Sequence, residues 1–248
     1  MTYLWALYAR ETKRFQKLWL DTIFSPIVSL ALYLAIFGIV VGDRAVLGTN
    51  YLAFIYTGLL AMQVVNSSFN NPTFALVIAK NVGTMVDLQV VPIPPWGVGL
   101  AYALAALTRA LATLTVTVLL TAWFVPGLTL HAPLVLLLGL VLTGLQFGML
   151  GVVFGIWAKN FEALTFVTTF VMQPMIFLAG VFYPLSGLPA PWNLISMLNP
   201  LHHNINLLRW ASLGVSDISP LLSFVVVAGL CAALFGIMQV VVKKKLKL

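Results

Sequence analysis

Apolar residues fall in long unbroken runs along this chain, and polar residues gather between the runs instead of alternating with them. A helix needs about 20 apolar residues to cross roughly 30 Å of hydrocarbon, so the runs to seek are of that length and bounded by charge, proline or glycine. Six qualify, over residues 22–41, 51–68, 97–125, 133–158, 163–182 and 220–242. The pattern predicts an all-α polytopic membrane protein with six transmembrane helices. Asn70-Asn71-Pro72 is expected to stop the second run, and Pro126-Gly127 with His131 to part the third from the fourth. Residues 1–16 lack the apolar stretch and small-residue cleavage site of a secretory signal.

Residues 3–19 place Leu4, Leu7, Tyr8, Phe15, Leu18 and Trp19 on one helical face, with Arg10, Lys13, Arg14 and Lys17 on an adjacent one. That spacing predicts an interfacial amphipathic helix whose cations meet anionic lipid or a cytoplasmic partner; a basic anchor with no partner fits equally. Glu11 falls inside the apolar stripe, where a carboxylate is costly unless paired. It either pairs with a local arginine or engages another element.

The connector over residues 72–95 mixes Phe74, Leu76, Val77, Ile78, Met85, Val86 and Leu88 with the charges Lys80 and Asp87, then runs into Pro92-Ile93-Pro94-Pro95. Proline cannot continue a helix, so a short helix should stop near Val91. Such a helix suits a groove on a soluble partner, although an ordinary loop has the same composition.

The stretch Gly180-Val-Phe-Tyr183-Pro184, followed by Leu188-Pro189, Pro191-Trp192 and Asn199-Pro200, is too broken for one helix yet stays hydrophobic. Irregular apolar backbone near a membrane is buried in protein or lines a cavity. Two half-helices are therefore expected over residues 183–205, with their turn near Gly187 to Pro191, as at transport routes.

Gly144, Gly148, Gly151 and Gly155 form a small-residue stripe that lets another helix approach closely, by default within the chain and alternatively across a dimer. Gln173-Pro174 predicts a kink. Arg109, inside the third run, either snorkels or faces a wet cavity. His202-His203 with Asn204 make a weak metal-ligand set and read better as a solvated loop.

Composition narrows the class. The chain of 248 residues is 61% hydrophobic and 8% charged, with a mean hydropathy of +1.04, whereas a soluble domain carries about 25% charged residues. Soluble enzyme, disulfide scaffold and disordered tail are excluded, and Cys231 alone cannot form an internal bridge. The net charge of +7 is not gathered on one solvated face, as nucleic-acid binding requires, so no nucleic acid is expected as a partner. Lysine and arginine favour cytoplasmic connectors. With the N-terminus inside, Arg10, Lys13, Arg14, Lys17, Lys80, Lys159, Lys243, Lys244, Lys245 and Lys247 share the inner side, against Arg44 and Arg209 outside. Both termini are then cytoplasmic and the number of crossings is even.

Taken together, these segments resemble the ABC-2 type integral membrane permeases, and the likeness covers nearly the whole chain as one transmembrane domain. Arg10-Glu11-Thr-Lys-Arg14-Phe15 and Ile36-Phe37-Gly38 look like the family's opening, and Tyr56-Thr-Gly58-Leu-Leu-Ala-Met62 like its second span. Asp87-Leu88-Gln-Val-Val-Pro92-Ile-Pro94 is similar to the end of its coupling helix. The Gly180 to Pro184 segment, Leu188-Pro189, Trp192, Asn199-Pro200 and Arg209 resemble its fifth-span exit and re-entrant hairpin.

The resemblance implies a subunit of an exporter of drugs, lipid-linked saccharides or related amphiphiles in a bacterial or archaeal plasma membrane. It implies pairing with a second copy or a similar permease, and with two separate ATPase subunits that carry the ATP and Mg; this chain would hold no cofactor or metal. It further implies that Lys80, Met85, Asp87 and Leu88 transmit ATP-driven closure and that Arg10, Glu11 and Arg14 help seat the ATPase. The first, second and fifth spans would face the conduit. Val86 stands where a second acidic residue often sits, which makes the coupling contacts more apolar.

No Walker A motif, His-Glu-x-x-His or Gly-x-Ser-x-Gly occurs, so energy comes from a partner or a gradient. A gradient-driven carrier or channel is the alternative. It would want carboxylates inside the membrane, yet Glu11, Asp21, Asp43, Asp87, Glu162 and Asp217 all lie at or beyond run ends.

Overall fold

The computed structural model describes residues 2–16, 19–41, 45–90 and 93–246. Lys17, Leu18, Asp43, Arg44, Val91, Pro92 and Lys247 lie outside these, as do the side chains of Phe15, Trp19 and Asp21. The helices are α1 (Thr2–Gln16), α2 (Trp19–Val41), α3 (Tyr51–Val82), α4 (Asp87–Val90), α5 (Pro95–Thr121) and α6 (Pro133–Trp157). After them come α7 (Phe161–Val167), α8 (Gln173–Phe177), α9 (Trp192–Leu198), α10 (Pro200–Leu213) and α11 (Pro220–Leu246). An antiparallel hairpin, β1 (Ala45–Val46) and β2 (Thr49–Asn50), joins α2 to α3.

Among the described residues four helical stretches, Tyr51–Val82, Pro95–Phe124, Pro133–Trp157 and Pro220–Lys245, are long and apolar enough to cross a membrane. Phe24–Val40 and Phe161–Phe177 are apolar but shorter. The chain is an all-α integral membrane protein. Trp19, expected in the interfacial helix, opens α2 instead.

Asn70-Asn71-Pro72 does not end the second run: α3 passes through it to Val82. Proline inside a membrane helix is tolerated where a neighbouring helix and hydroxyl side chains answer the freed backbone groups. One residue on, Thr73 Oγ1 donates to Phe69 O and across to Gly151 O at 3.0 Å, which ties this turn of α3 to α6. The helix ends where Gly83 takes a left-handed conformation, φ 83°, and its N–H returns to Lys80 O. The connector to α5 is correspondingly short, a 3-10 turn over Thr84–Val86 and then α4.

α3 is the central post, packed by α2, α5, α6 and α10. The glycine stripe of α6 faces it and α5. A Cβ on Gly144 would meet Leu107, on Gly148 the backbone of Ala103, on Gly151 Phe69 O and Pro72, and on Gly155 Thr73 and Leu76. The close packing is therefore within the chain.

The fifth run is interrupted as expected, though by a π turn over Thr168–Met172 immediately before Gln173-Pro174, and it ends at Phe177. In the broken segment the structure moves the break. Residues 187–191 link a 3-10 turn (Leu185–Gly187) to α9, and the elbow between two helices falls at Asn199, which caps α10 by accepting from Leu201 N with Pro200 in the first turn. His202, His203 and Asn204 therefore lie on a buried helix, not in a solvated loop. Carbonyls meet one nitrogen of each: His202 Nδ1 lies 3.1 Å from Ala179 O, His203 Nε2 3.0 Å from Met197 O, and Asn204 Nδ2 donates to Pro200 O, while His202 Nε2 and His203 Nδ1 meet no partner among the described residues.

Candidate functional site

α1 does not float on its own. Leu4, Leu7 and Tyr8 pack into the cluster formed with Val98, Ala101 and Tyr102 of α5, and Tyr8 OH lies 2.9 Å from Thr108 Oγ1. Glu11 is buried between Arg10 and Arg14, each 3.2 Å away, and Arg10 also donates to Tyr102 OH. Burial would lower the Arg10 pKa, but Tyr102 and Glu11 outweigh it and the net shift is upward.

Leu88 of α4, and Met238 and Val242 near the end of α11, belong to the same cluster. Arg10, Lys13, Arg14, Lys80, Lys159 and Lys243–Lys245 belong to this end of the bundle. Lys80 is turned inward. Its Nζ donates to Gly155 O at 2.8 Å, Ile156 O at 2.5 Å and Ala158 O at 2.7 Å, capping the end of α6. Cations at helix C-termini are favourable. Asp87 is exposed and Met85 half-buried, whereas Leu88 is 3% exposed.

Between α2, α3 and the α7–α8 stretch lies a cavity of about 480 Å³ with a largely polar lining. Ser25 and Ser29 come from α2, Gln63, Asn66, Ser67 and Asn70 from α3, Arg109 from α5, and Thr168 and Gln173 from the interrupted fifth helix. The four α3 residues repeat at i, i+3, i+4 and i+7, one helical face. They were the missed signal: an amide and hydroxyl stripe inside an otherwise apolar helix. Gln63 Nε2 donates to Thr117 Oγ1 at 2.9 Å and Arg109 Nη1 to Asn71 Oδ1 at 3.1 Å, so the wall is braced from α5. Gln63 Oε1 and Asn70 Oδ1 accept no hydrogen bond from the described residues. Among the described residues no carboxylate lines the cavity. Arg109 is among the residues that line it.

Tyr33 lines this cavity and also contacts Phe182, centroids 5.7 Å apart. Phe37 and Phe177 complete the cluster at 5.2 and 5.7 Å from Phe182. Aromatic rings therefore stand over one end of the polar space.

The residues expected at the gate hold the backbone beside those rings instead of lining the cavity. Tyr183 OH donates to Phe177 O at 2.6 Å, and Asn199 Nδ2 to Met175 O at 2.6 Å. Pro184, Pro189 and Pro191 accept from Gly187, Trp192 and Leu194 N–H groups in successive tight turns, Pro200 opens α10, and Trp192 is half exposed. Arg209, expected in an external connector, is fully buried. It donates to Gly180 O at 2.8 Å, covers the Phe54 ring at 3.7 Å and pairs with Asp217 at 3.6 Å.

A membrane-embedded helical bundle with a polar space among apolar helices has the build of a transport subunit. Residues 2–213 match the ABC-2 type transporter family, and the chain belongs to it. It is similar to the inner membrane transport permease YadH of Escherichia coli strain K12, 32% identical over 221 residues, covering 88% of this chain and 86% of that one. It is also similar to nodulation protein J of Rhizobium meliloti, 28% identical over 220 residues (84% and 80%). Nodulation protein J of Sinorhizobium fredii is 29% identical over 206 residues (78% and 73%). The chain is accordingly a membrane transport subunit of the ABC-2 permease family, whose members work with ATPase partners.

Proposed function

We propose that this chain is one half of the membrane path of an ATP-driven exporter of amphipathic cargo, lipid-like, drug-like or saccharide-bearing. The observation that carries the reading is the polar cavity enclosed by α2, α3 and the fifth helix. Its hydroxyls and amides, with free acceptors on Gln63 and Asn70, suit a cargo head group rich in hydrogen-bond donors, and the aromatic cluster at its end suits an apolar body.

α2 and the interrupted fifth helix complete six crossings in this reading. The end rich in lysine and arginine is cytoplasmic, with both termini there, in the plasma membrane of a bacterium or archaeon. Phe24, Val28, Leu32 and Ile36 form one exposed stripe along α2, and a second permease covers it, closing the open side of the conduit. Two ATPase subunits bearing ATP and Mg dock beneath α1 and the segment from Thr84 to Asp87, and this chain is a single transport domain without chemistry of its own.

The test is affinity purification of the chain with a separately encoded ATPase, followed by ATP-driven cargo uptake into inverted vesicles. Asn66→Leu should lower flux about tenfold, the effect of losing roughly 1.4 kcal/mol of contact, with the ATPase still bound. Full flux without any ATPase would overturn the reading.

A further inference from the structure

A second cavity, about 580 Å³, lies on another face of α3, walled by α3, α5, α6 and α10. Its size is that of a small-molecule site. Its floor, Tyr56, Ala61, Leu114 and Leu208, is buried, while Leu119 and Leu130 at its rim are exposed. The polar cavity uses Leu59, Met62, Gln63 and Asn66 of α3, so the helix stands between the two.

Each hydroxyl that borders the second cavity already has a partner. Thr57 donates to Phe54 O, Thr115 to Leu111 O, Thr129 to Ser212 O and Ser212 to Leu208 O, while Tyr56 OH pairs with Thr121 Oγ1. The side-chain hydroxyls of the walls therefore offer no spare donor. Ordered water needs two to four polar partners, and a polar cargo would lose its hydrogen bonds here. An unfilled void of this size would forfeit the packing contacts of its lining. Trp123, 88% exposed at the end of α5, marks the interfacial level that tryptophan favours, which puts the rim just inside hydrocarbon.

We propose that this cavity is a resident lipid site that takes one acyl chain of a phospholipid from the leaflet at the Trp123 end. The chain fills the gap between α5 and α10 and supports Leu208 and Ser212, the neighbours of Arg209 on α10. It is separate from the cargo route.

The test uses phosphatidylethanolamine spin-labelled near the end of one acyl chain, with the full-length protein in nanodiscs. Thr115→Trp at the exposed rim should fill the cavity; Leu134→Trp, on lipid-facing α6 outside it, is the control. Wild type and Leu134→Trp should hold an immobilised lipid that exchanges slowly, and Thr115→Trp should lose it. Added phosphatidylethanolamine should raise the melting temperature of detergent-purified wild type and leave Thr115→Trp unmoved. An immobilised component equal in all three proteins, or reduced equally by both substitutions, would overturn the assignment. Ala122→Phe provides an independent filling of the same space, with the same expected loss.

Discussion

Arg209 donates to the carbonyl of Gly180 at 2.8 Å from a fully buried position on α10. The link fastens the exit of the fifth helix to a helix from the next segment. Space for it comes from α3: a Cβ on Gly58 would strike Val181 O and approach the Arg209 guanidinium. Asp217 balances the charge at 3.6 Å, an ion pair longer than a hydrogen bond, and its other oxygen accepts from Leu185 N. The knot therefore fixes both ends of the 180–185 turn, where Phe182 sits.

Breaking that pair on one side should be costly, since an uncompensated buried charge typically loses about 3–5 kcal/mol. Arg209→Ala should lower thermal stability more than the double substitution Arg209→Met with Asp217→Leu, as read by fluorescence-detected gel filtration after heating. Asp217→Asn keeps the acceptor for Leu185 N and should be milder than Asp217→Ala. A double substitution worse than the sum of the singles would mean the charges themselves are required.

Asp87 and Leu88 are adjacent, yet they face opposite demands. Leu88 is buried in the cluster with Leu7 and Val98, so Leu88→Ala should cost about 2–5 kcal/mol of stability. Val82, Val86 and Asp87 are the exposed members, the two valines at 69% and 58%. Asp87→Ala with Val86→Ser should leave melting unchanged while weakening capture of the ATPase. Unchanged capture and flux would place the coupling surface elsewhere.

The helices and the basic end were legible because charge and length act over whole segments, and one-residue details do not alter them. The passage of α3 through Pro72 is not legible locally, because the packing around that turn, Thr73 bonding Gly151 O included, comes from a helix 78 positions away. The polar residues of α10 misled for a similar reason. Histidine and asparagine read as solvated until a partner carbonyl such as Ala179 O is known to be near. The cavity stripe on α3 was visible in principle as Gln63, Asn66, Ser67 and Asn70, but its meaning needed Ser25, Ser29 and Thr168 opposite it. Lys80 shows the limit of segment reading, since it falls in the last turn of α3 and not in the expected connector, and its local sequence says nothing about its reach to α6.

Close packing at the glycine stripe can be graded. A Cβ on Gly151 would collide with backbone at Phe69 O, and one on Gly236 of α11 would meet nothing within 4 Å. Gly151→Ala should destabilise by about 1–3 kcal/mol, as overpacking does, and Gly236→Ala should stabilise by about 0.5–1 kcal/mol through helix propensity. Thermal melting in one detergent compares them. Equal effects would show that α3 and α6 separate easily.

Phe182 joins rings from two elements beside the polar cavity, Tyr33 and Phe37 of α2 and Phe177 of α8, while Tyr51 OH holds its carbonyl at 3.1 Å. Edge and offset contacts of this kind contribute about 0.5–1.5 kcal/mol each beyond area burial. Losing three of them removes the lid over the polar space without touching a charge or a backbone bond. Phe182→Ala should therefore fold and retain the ATPase, yet leak: small polar dyes should cross proteoliposomes several-fold faster without ATP. Phe182→Leu, which restores bulk but not ring contacts, should fall between. Tyr51→Phe frees the carbonyl alone and should give a smaller leak than Phe182→Ala. If Phe182→Ala membranes stay as tight as wild type, the seal of the conduit is made by other residues.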